Sequence, residues 1–293
     1  MNEMRSMTYS HRCLRTIITL TAFMACLSVA EAQTRCSSDL ESELSCSELG
    51  LSMNDIQSLG SHNSYKLAIP PAELAMIREV NPRSALTLDY SHIGIREQLE
   101  RGLRQIELDI VYDPEGGRYA DPLLPRLAAQ QGKGTTFDAS GLDAPGFKVL
   151  HAQDIDVRSS CVTWIACLQE IRHWSDANPD HIPLLIMFNA KEGGNSYPGT
   201  IEALEFTEEA YADLEEEILS VFEENRIITP DKLRGSYSSL RQAVLAQGWP
   251  SLEESRGKVF FALDEGRRKV EIYLGVSASA EGTLIFPNSV SEE

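Results

Sequence analysis

Apolar positions along the chain follow two different periods, and these periods predict its secondary structure. Short runs that are apolar at alternate positions or throughout indicate β-strands, whereas apolar positions three or four residues apart indicate helices. The predicted strands are 55–60, 105–112, 147–152, 183–189, 258–263 and 283–286. The predicted helices are 95–104, 162–177, 205–224 and 239–247. Because strand and helix signals alternate, the sequence predicts an α/β fold built from parallel βα units.

Two stretches of the chain follow neither period. Residues 33–53 are polar and contain two cysteines, so we expect a short N-terminal strap rather than a domain. Residues 113–146 are rich in glycine, proline and aspartate. This composition predicts a long loop that passes over the strand ends.

The first 32 residues have the features of a secretory signal peptide. Arginines give a basic start, an apolar stretch covers 16–29, and Ala30-Glu31-Ala32 matches a small-x-small cleavage site. The apolar stretch is too short to span a bilayer comfortably, and no second segment of spanning length follows it. We therefore predict a signal peptide over 1–32, one mature domain over 33–293, and a secreted or periplasmic protein.

The cysteines support export. Two of them lie in the predicted signal, and the mature chain keeps four: Cys36, Cys46, Cys161 and Cys167. An even number in an exported chain favours two disulfides, and proximity suggests one bridge within each close pair. The sequence permits other pairings, and free buried thiols remain the alternative.

An acidic pair on one predicted strand suggests a metal site. Side chains alternate along a strand, so Glu107 and Asp109 point to the same face. Two neighbouring carboxylates away from water repel each other unless a cation lies between them. Calcium binds oxygen ligands in flexible geometry, and the amide of Asn63, after the preceding strand, is a ligand of this type. The sequence thus predicts a calcium site.

The net charge narrows the range of partners. The chain carries a formal net charge of −18 at pH 7. Such a chain is repelled by nucleic acid and by strongly anionic membrane surfaces. We therefore expect no nucleic-acid partner and no integral membrane segment after the signal is removed.

Several separated motifs resemble those of phosphatidylinositol-specific phospholipase C, most closely the secreted, calcium-dependent bacterial branch. The likeness runs from about Gln57 to Ser289. Its most specific parts are Gly60-Ser61-His62-Asn63-Ser64-Tyr65, Glu107-Leu108-Asp109, His151-Ala152-Gln153-Asp154 and the segment 161–180. The resemblance implies a TIM-type barrel with its site at the carboxyl ends of the strands.

The resemblance also implies roles for particular residues. His62 and His151 match the two catalytic histidines, and Asn63, Glu107 and Asp109 match the calcium ligands. The implied reaction is cleavage of phosphatidylinositol, at a membrane surface, to diacylglycerol and a cyclic inositol phosphate by attack of the inositol 2-hydroxyl. His62 is assigned as proton acceptor and His151 as donor. Glu107 is a rival base, because it lies beside the attacking hydroxyl.

The chain departs from related enzymes in three respects. Asn189 stands where eukaryotic relatives have a further metal-binding glutamate, and we expect its carbonyl oxygen to act as a weaker fourth ligand. Asp264 and Glu265 stand where those relatives use lysines to bind extra ring phosphates, so polyphosphorylated headgroups should be disfavoured. The predicted strands are too few for a closed barrel, and we expect the barrel to be incomplete at its C-terminal end.

Two other functions remain as alternatives. One is a glycerophosphodiester phosphodiesterase, another barrel enzyme with paired histidines and a Glu-x-Asp metal site. Those enzymes usually carry His-Arg-Gly, whereas here His62 is followed by Asn63 and Ser64. The other is a catalytically silent protein that binds calcium or an inositol lipid, which an incomplete barrel would allow.

Overall fold

The chain folds around one mixed β-sheet. The structure is a computed structural model that describes residues 50–134, 136–275, 280 and 282–288. The described strands are β1 (Gly60–Ser61), β2 (Gln105–Val111), β3 (Lys148–Val149), β4 (Leu184–Ala190), β5 (Val259–Leu263) and β6 (Ile285–Pro287). Strands β1, β2, β4, β5 and β6 lie side by side in this order and are parallel, while β3 pairs antiparallel with β2.

The chain divides into two compact units, Met1–Leu51 and Ser52–Glu293. The sheet and the helices described below belong to the second unit. The predicted signal segment 1–32 and the predicted Cys36–Cys46 bridge lie outside the described residues.

Helices connect the parallel strands. The described α-helices are α1 (Pro71–Val80), α2 (Pro82–Leu88), α3 (Ile95–Glu100), α4 (Leu123–Gln130), α5 (Trp164–Ala177), α6 (Glu208–Val221), α7 (Pro230–Arg234), α8 (Leu240–Gln247), α9 (Leu252–Ser255) and α10 (Arg267–Leu274). Short 3₁₀ turns cover Met53–Asp55 and Glu224–Arg226. Thr163, Thr207 and Ser239 cap α5, α6 and α8 through their hydroxyl oxygens, which accept backbone N–H groups of the first turn. These caps fix where the predicted long helices begin.

The alternation of side chains separates the two faces of the sheet. On β2, Ile106, Leu108 and Ile110 are fully buried and pack in the main core with Trp164 and other helix residues. Glu107 and Asp109 lie between them and point to the opposite, inner face. Strand β4 follows the same pattern in register, with Asp109 paired with Asn189. The polar residues of neighbouring strands therefore meet on the inner face.

The predicted strands and helices are confirmed for most of the chain, and the first difference lies at the N-terminal end. Residues 55–60 are not a strand: a 3₁₀ turn covers Met53–Asp55, and β1 contains only Gly60–Ser61. Strand β1 is held by the backbone of β2, with Gly60 opposite Gln105. A Cβ on Gly60 would lie 2.6 Å from the Gln105 Cβ, so only glycine permits this close approach.

The segment 113–146 also differs from prediction. It contains α4, whose Leu124 packs with Leu74 and Ile77 of α1 in a separate apolar cluster. No part of α4 belongs to the main core on the sheet. The segment therefore provides no crossover helix, and the chain returns along β2 as the antiparallel strand β3. The expectation that 147–152 is a parallel strand is wrong for this reason.

The predicted Cys161–Cys167 disulfide is confirmed, and it lies at the start of α5. Cys167 is fully buried in the main core, so the bridge ties the segment before α5 to the helix body. Free thiols are excluded for this pair.

The fold is α/β and of the barrel type, and its sheet does not close into a complete barrel. In the part of the chain that the structure describes, β1 pairs only with β2 and β6 pairs only with β5. Residues of the inner face such as Met187, Phe260 and Phe286 remain partly exposed. Each described helix is too short or too polar to cross a bilayer.

Candidate active site

The acidic pair lies on the inner face of β2, near its carboxyl end. Glu107 is 7% exposed and Asp109 is 1% exposed. Both oxygens of Asp109 are buried and have no partner in ordinary hydrogen-bond geometry among the described residues, although the Tyr65 hydroxyl and the Lys191 ammonium lie close enough to lower its pKa. A buried carboxylate that is so poorly hydrogen-bonded is costly, and its presence at a strand end marks a candidate functional group.

The segment after β1 brings Asn63 beside this pair. The Ser64 N–H donates to the Glu107 carbonyl oxygen, and the Glu107 N–H donates to Ser64 Oγ, both at 2.9 Å. Asn63 is fully buried and has a positive φ of 50°, a conformation that asparagine tolerates better than most residues. Its amide donates to Tyr90 Oη at 2.6 Å, and its carbonyl oxygen is 3.4 Å from Tyr65 Oη. The amide is therefore held in one orientation.

His62 stands at the mouth of the site. Its Nε2 lies 3.6 Å from Glu107 Oε1, and its side chain is 70% exposed. The His92 ring forms a 2.8 Å hydrogen bond with the His62 carbonyl oxygen, which fixes the backbone at this position. The backbone of His62 is therefore held in place, while its exposed ring is accessible to a ligand from solvent.

His151 follows β3, which lies on the same edge of β2 as β1. The Leu150 N–H donates to the Asp109 carbonyl oxygen at 3.2 Å, so the next residue along lies beside the end of β2. His151 Nδ1 is 2.9 Å from Asp156 Oδ2. Asp156 is 1% exposed and also pairs with the buried Lys66 ammonium at 3.3 Å. One ring nitrogen is thus occupied, and Nε2 is left for a substrate.

Sequence reasoning missed Asp156 and Lys66. Lys66 is fully buried, and its ammonium also donates to the carbonyl oxygens of Leu88 and Tyr90 at 3.0 and 2.9 Å. Asp156 faces His151 because the backbones of Ala152 and Asp156 pair in a tight turn. An acid five positions after a histidine, across a turn, is the signal that could have found it. Asp154 instead holds the loop, since its carboxylate accepts the Leu123 and Ile201 N–H groups.

Two more residues reach the acidic pair from β4. Asn189 faces the same side as Asp109, and its amide donates to the Asp264 carbonyl oxygen. The Lys191 ammonium lies 3.3 Å from Asp109 Oδ1, as an ion pair without a hydrogen bond. The structure therefore brings Asn63, Glu107, Asp109 and Asn189 to the carboxyl ends of neighbouring strands, with His62 beside Glu107 and His151 after β3.

Burial and charge shape the titration of the acidic pair. Burial raises the pKa of Glu107, while the nearby His62 ring acts to lower it and Asp109 acts to raise it. Burial also raises the pKa of Asp109, against the opposing effects of Lys191 and His151. Both carboxyls resist ionisation unless a positive charge is close.

The donor set fits a hard cation. Asn63, Glu107 and Asp109 offer amide and carboxylate oxygens, the ligands that calcium prefers, and the Asp109 oxygens have no competing hydrogen bond. No group of three or more His, Cys, Asp or Glu side chains poised for a metal occurs among the described residues. The candidate site has only two carboxylates and draws its other oxygens from asparagines.

Comparisons with known proteins identify the family. The model of the family described as calcium-dependent phosphoinositide phospholipase C matches residues 51–293. The chain belongs to this family, whose members are phosphoric diester hydrolases. A search of the curated proteins finds none that matches.

Solved structures agree on the fold. A calcium-dependent phosphoinositol-specific phospholipase C from the Gram-negative bacterium Pseudomonas sp., in its apo form, is 19% identical, with a TM-score of 0.51. The match covers 82% of this chain and 67% of that one. The myoinositol complex of the Pseudomonas enzyme is 18% identical, with a TM-score of 0.52, and covers 84% and 69%. At this identity the likeness establishes the shared barrel-type fold.

Proposed function

We propose that this protein cleaves phosphatidylinositol to diacylglycerol and a cyclic inositol phosphate, with calcium as cofactor. The observation that carries the proposal is the convergence at one sheet edge of two imidazoles around a buried acidic pair. The inositol 2-hydroxyl would attack the adjacent phosphorus, and the bond from phosphorus to the glycerol oxygen would break. Because nucleophile and phosphodiester belong to one headgroup, orientation is largely supplied by the substrate.

His62 is proposed to accept the proton of the 2-hydroxyl. Its ring is exposed, and Glu107 lies 3.6 Å from Nε2, so the carboxylate can orient the ring and stabilise the positive charge that it gains. Glu107 itself is the alternative base. When bound, calcium would make the hydroxyl more acidic and offset charge on a phosphoryl oxygen. Asn63, Glu107, Asp109 and Asn189 would hold it.

His151 is proposed to donate the proton to the departing glycerol oxygen. The Asp156 carboxylate occupies Nδ1 at 2.9 Å, so the opposite nitrogen, Nε2, faces the substrate as the donor. Each such proton transfer typically contributes about a hundredfold to ten-thousandfold in rate. The two histidines thus divide the two proton transfers between them, one at the attacking hydroxyl and one at the departing glycerol oxygen.

The substrate is proposed to be an inositol lipid without extra ring phosphates. Asp264 is exposed at the end of β5, and Glu265 is paired with Lys269 at 2.9 Å. Negative charge at this rim disfavours additional phosphate groups. The predicted signal peptide supports action outside the cytoplasm, on lipid at a membrane surface.

The test compares two substrates. The protein is incubated with phosphatidylinositol and with glycerophosphoinositol, in calcium and in excess chelator. We expect calcium-stimulated release of cyclic inositol phosphate from the lipid. Release of glycerol phosphate from the soluble diester would instead identify a glycerophosphodiester phosphodiesterase, and no turnover of either substrate would identify a silent binding protein.

Histidine variants test the assigned roles. We expect H62A and H151A each to lower kcat by about a hundredfold or more, because each removes one proton transfer. The exposed His173 on α5 lies outside the site and provides the matched control, H173A, which should retain wild-type turnover. Full activity of H151A would reject its assigned role.

A further inference from the structure

Lys191 is fixed beside the acidic pair by the backbone. It follows β4 directly, and its N–H donates to the Ile110 carbonyl oxygen at 2.8 Å, one residue beyond Asp109 on β2. Its ammonium lies 3.3 Å from Asp109 Oδ1. The Lys191 side chain is 37% exposed and that of Asp109 is 1% exposed. The lysine can therefore leave toward solvent, while the carboxylate must remain.

Without a metal ion, the charges at this edge are only partly balanced. Glu107 and Asp109 supply two carboxylates, and Lys191 supplies one ammonium. Asn189, which is paired in register with Asp109, adds oxygen but no charge. Asp109 has no hydrogen bond of ordinary geometry to the described residues, so the Lys191 ammonium, 3.3 Å from Oδ1, and the nearby Tyr65 hydroxyl help to offset that buried charge.

A divalent cation and the Lys191 ammonium compete for the same oxygen. Two like charges within a few ångströms repel by more than about 1 kcal/mol even at the dielectric constant of water, and by more in a partly buried site. A divalent cation that binds Asp109 Oδ1 must therefore displace the ammonium, or it binds with lower affinity because of the repulsion. The stem of Lys191 is long enough and exposed enough for displacement.

We propose that Lys191 is a tethered counter-cation that holds the acidic pair together in the calcium-free protein and lowers the affinity of the site for calcium. The inference rests on the proposed function, since it assigns regulation to the same calcium site. It gives the site a calcium threshold: the ammonium offsets one of the two carboxylate charges at low calcium and is displaced only where calcium is abundant.

The test measures calcium binding and stability without measuring catalysis. Isothermal titration of the full chain with calcium chloride is performed on wild type, K191M and K191R. We expect the calcium Kd of K191M to fall about tenfold or more, since a competing positive charge is removed. K191R should stay within about threefold of wild type, because it keeps the charge. In EDTA, K191M should unfold at a lower temperature than wild type, since Asp109 loses its counter-ion, and calcium should raise that temperature more in K191M.

The exposed Lys133, after α4, provides the matched control, and K133M should bind calcium as wild type does. An unchanged or weaker calcium affinity in K191M would overturn the proposal. The outcome is separable from the proposed function. If K191M binds calcium more tightly but the protein cleaves no inositol lipid, the counter-cation role of Lys191 is supported and the proposed phospholipase activity is rejected. If the wild type cleaves the lipid but K191M binds calcium with unchanged affinity, the activity is supported and the counter-cation role is rejected.

Discussion

At the scale of single residues, the buried pair of Lys66 and Asp156 is the least expected feature of the site. A charged pair that is taken fully out of water carries a large desolvation penalty, which extra hydrogen bonds must offset. Lys66 meets this need with two carbonyl oxygens, whereas Asp156 binds the His151 ring through Oδ2 and its buried Oδ1 has no hydrogen bond to the described residues. Tyr90 links this group to Asn63, because its carbonyl binds Lys66 and its hydroxyl binds the Asn63 amide. Both sides of the site therefore share one support.

The positioning role of Asp156 can be tested with D156N. We expect kcat to fall about tenfold to a hundredfold, because the variant loses the charge that orients His151, while KM and calcium affinity stay near wild type. The unfolding free energy should fall by about 3 kcal/mol, since Lys66 loses its partner in the interior. Turnover is measured at a temperature where circular dichroism shows the variant folded.

The control for this variant is D138N, which changes an exposed carboxylate in the 113–146 segment. It should leave both turnover and stability unchanged. If D156N raised KM and lowered calcium affinity while kcat stayed constant, Asp156 would hold the fold of the loop and not the catalytic ring.

Among the secondary-structure elements, the contact between α6 and the start of β3 makes the stability of the fold depend on pH. Glu217 of α6 accepts the Phe147 N–H at 3.1 Å. Gly146 makes this approach possible, since a Cβ there would lie 2.3 Å from Glu217 Oε1 and its φ is +105°. Burial raises the pKa of Glu217 from 4.5 to about 7, against the opposing charge of Lys148. The Glu217 carboxyl, which binds the residue before β3, is therefore about half protonated near pH 7.

The sign of the pH effect follows from this raised pKa. Well below pH 4.5 the Glu217 carboxyl is neutral in both folded and unfolded chains, and at pH 4.5 it is half ionised in the unfolded chain only. As pH rises toward 7, the unfolded chain ionises first, so this group costs the folded state stability. Gln keeps the acceptor oxygen without the charge. We expect E217Q and wild type to unfold at similar temperatures near pH 4.5, and E217Q to be more stable above pH 7 by about 1 kcal/mol after allowance for partial exposure.

Thermal unfolding of both proteins between pH 4.5 and 8 measures this difference. The exposed Glu216 of the same helix provides the matched comparison, E216Q. A stability difference between E217Q and wild type that is independent of pH would show that Glu217 acts through packing alone.

At the scale of the whole molecule, charge sets how the protein meets its proposed substrate. The chain has a net charge of −18, and phosphatidylinositol is itself anionic. Repulsion between two negative surfaces is long-range in dilute salt and is screened within about 10 Å at 0.1 M ionic strength. We therefore expect the protein to bind phosphatidylinositol best when this lipid is diluted in a neutral surface, or when calcium or salt reduces the repulsion.

Vesicle experiments test this expectation. We expect binding to vesicles of phosphatidylcholine with a small fraction of phosphatidylinositol to exceed binding when phosphatidylglycerol replaces half of the phosphatidylcholine. Raising sodium chloride from low to physiological concentration should reduce the difference by screening. Cosedimentation in EDTA measures binding without turnover. Stronger binding to the more anionic vesicles would contradict the argument and indicate a local basic docking surface.

The features that the sequence predicted correctly depend on neighbours along the chain. Strand alternation predicted that Glu107 and Asp109 share a face, and helical periods predicted α5, α6 and α8. The close spacing of Cys161 and Cys167 predicted their bridge. These features were predictable because periodicity and short loop closure are local.

The contacts between separate segments of the chain became visible only in the folded structure. The burial of Lys66 against Asp156, the contact of Lys191 with Asp109 and the antiparallel course of β3 join residues from separate segments. Their energies depend on desolvation and on which helix covers which face. No local period carries that information, because it arises only when packing removes water from between the segments.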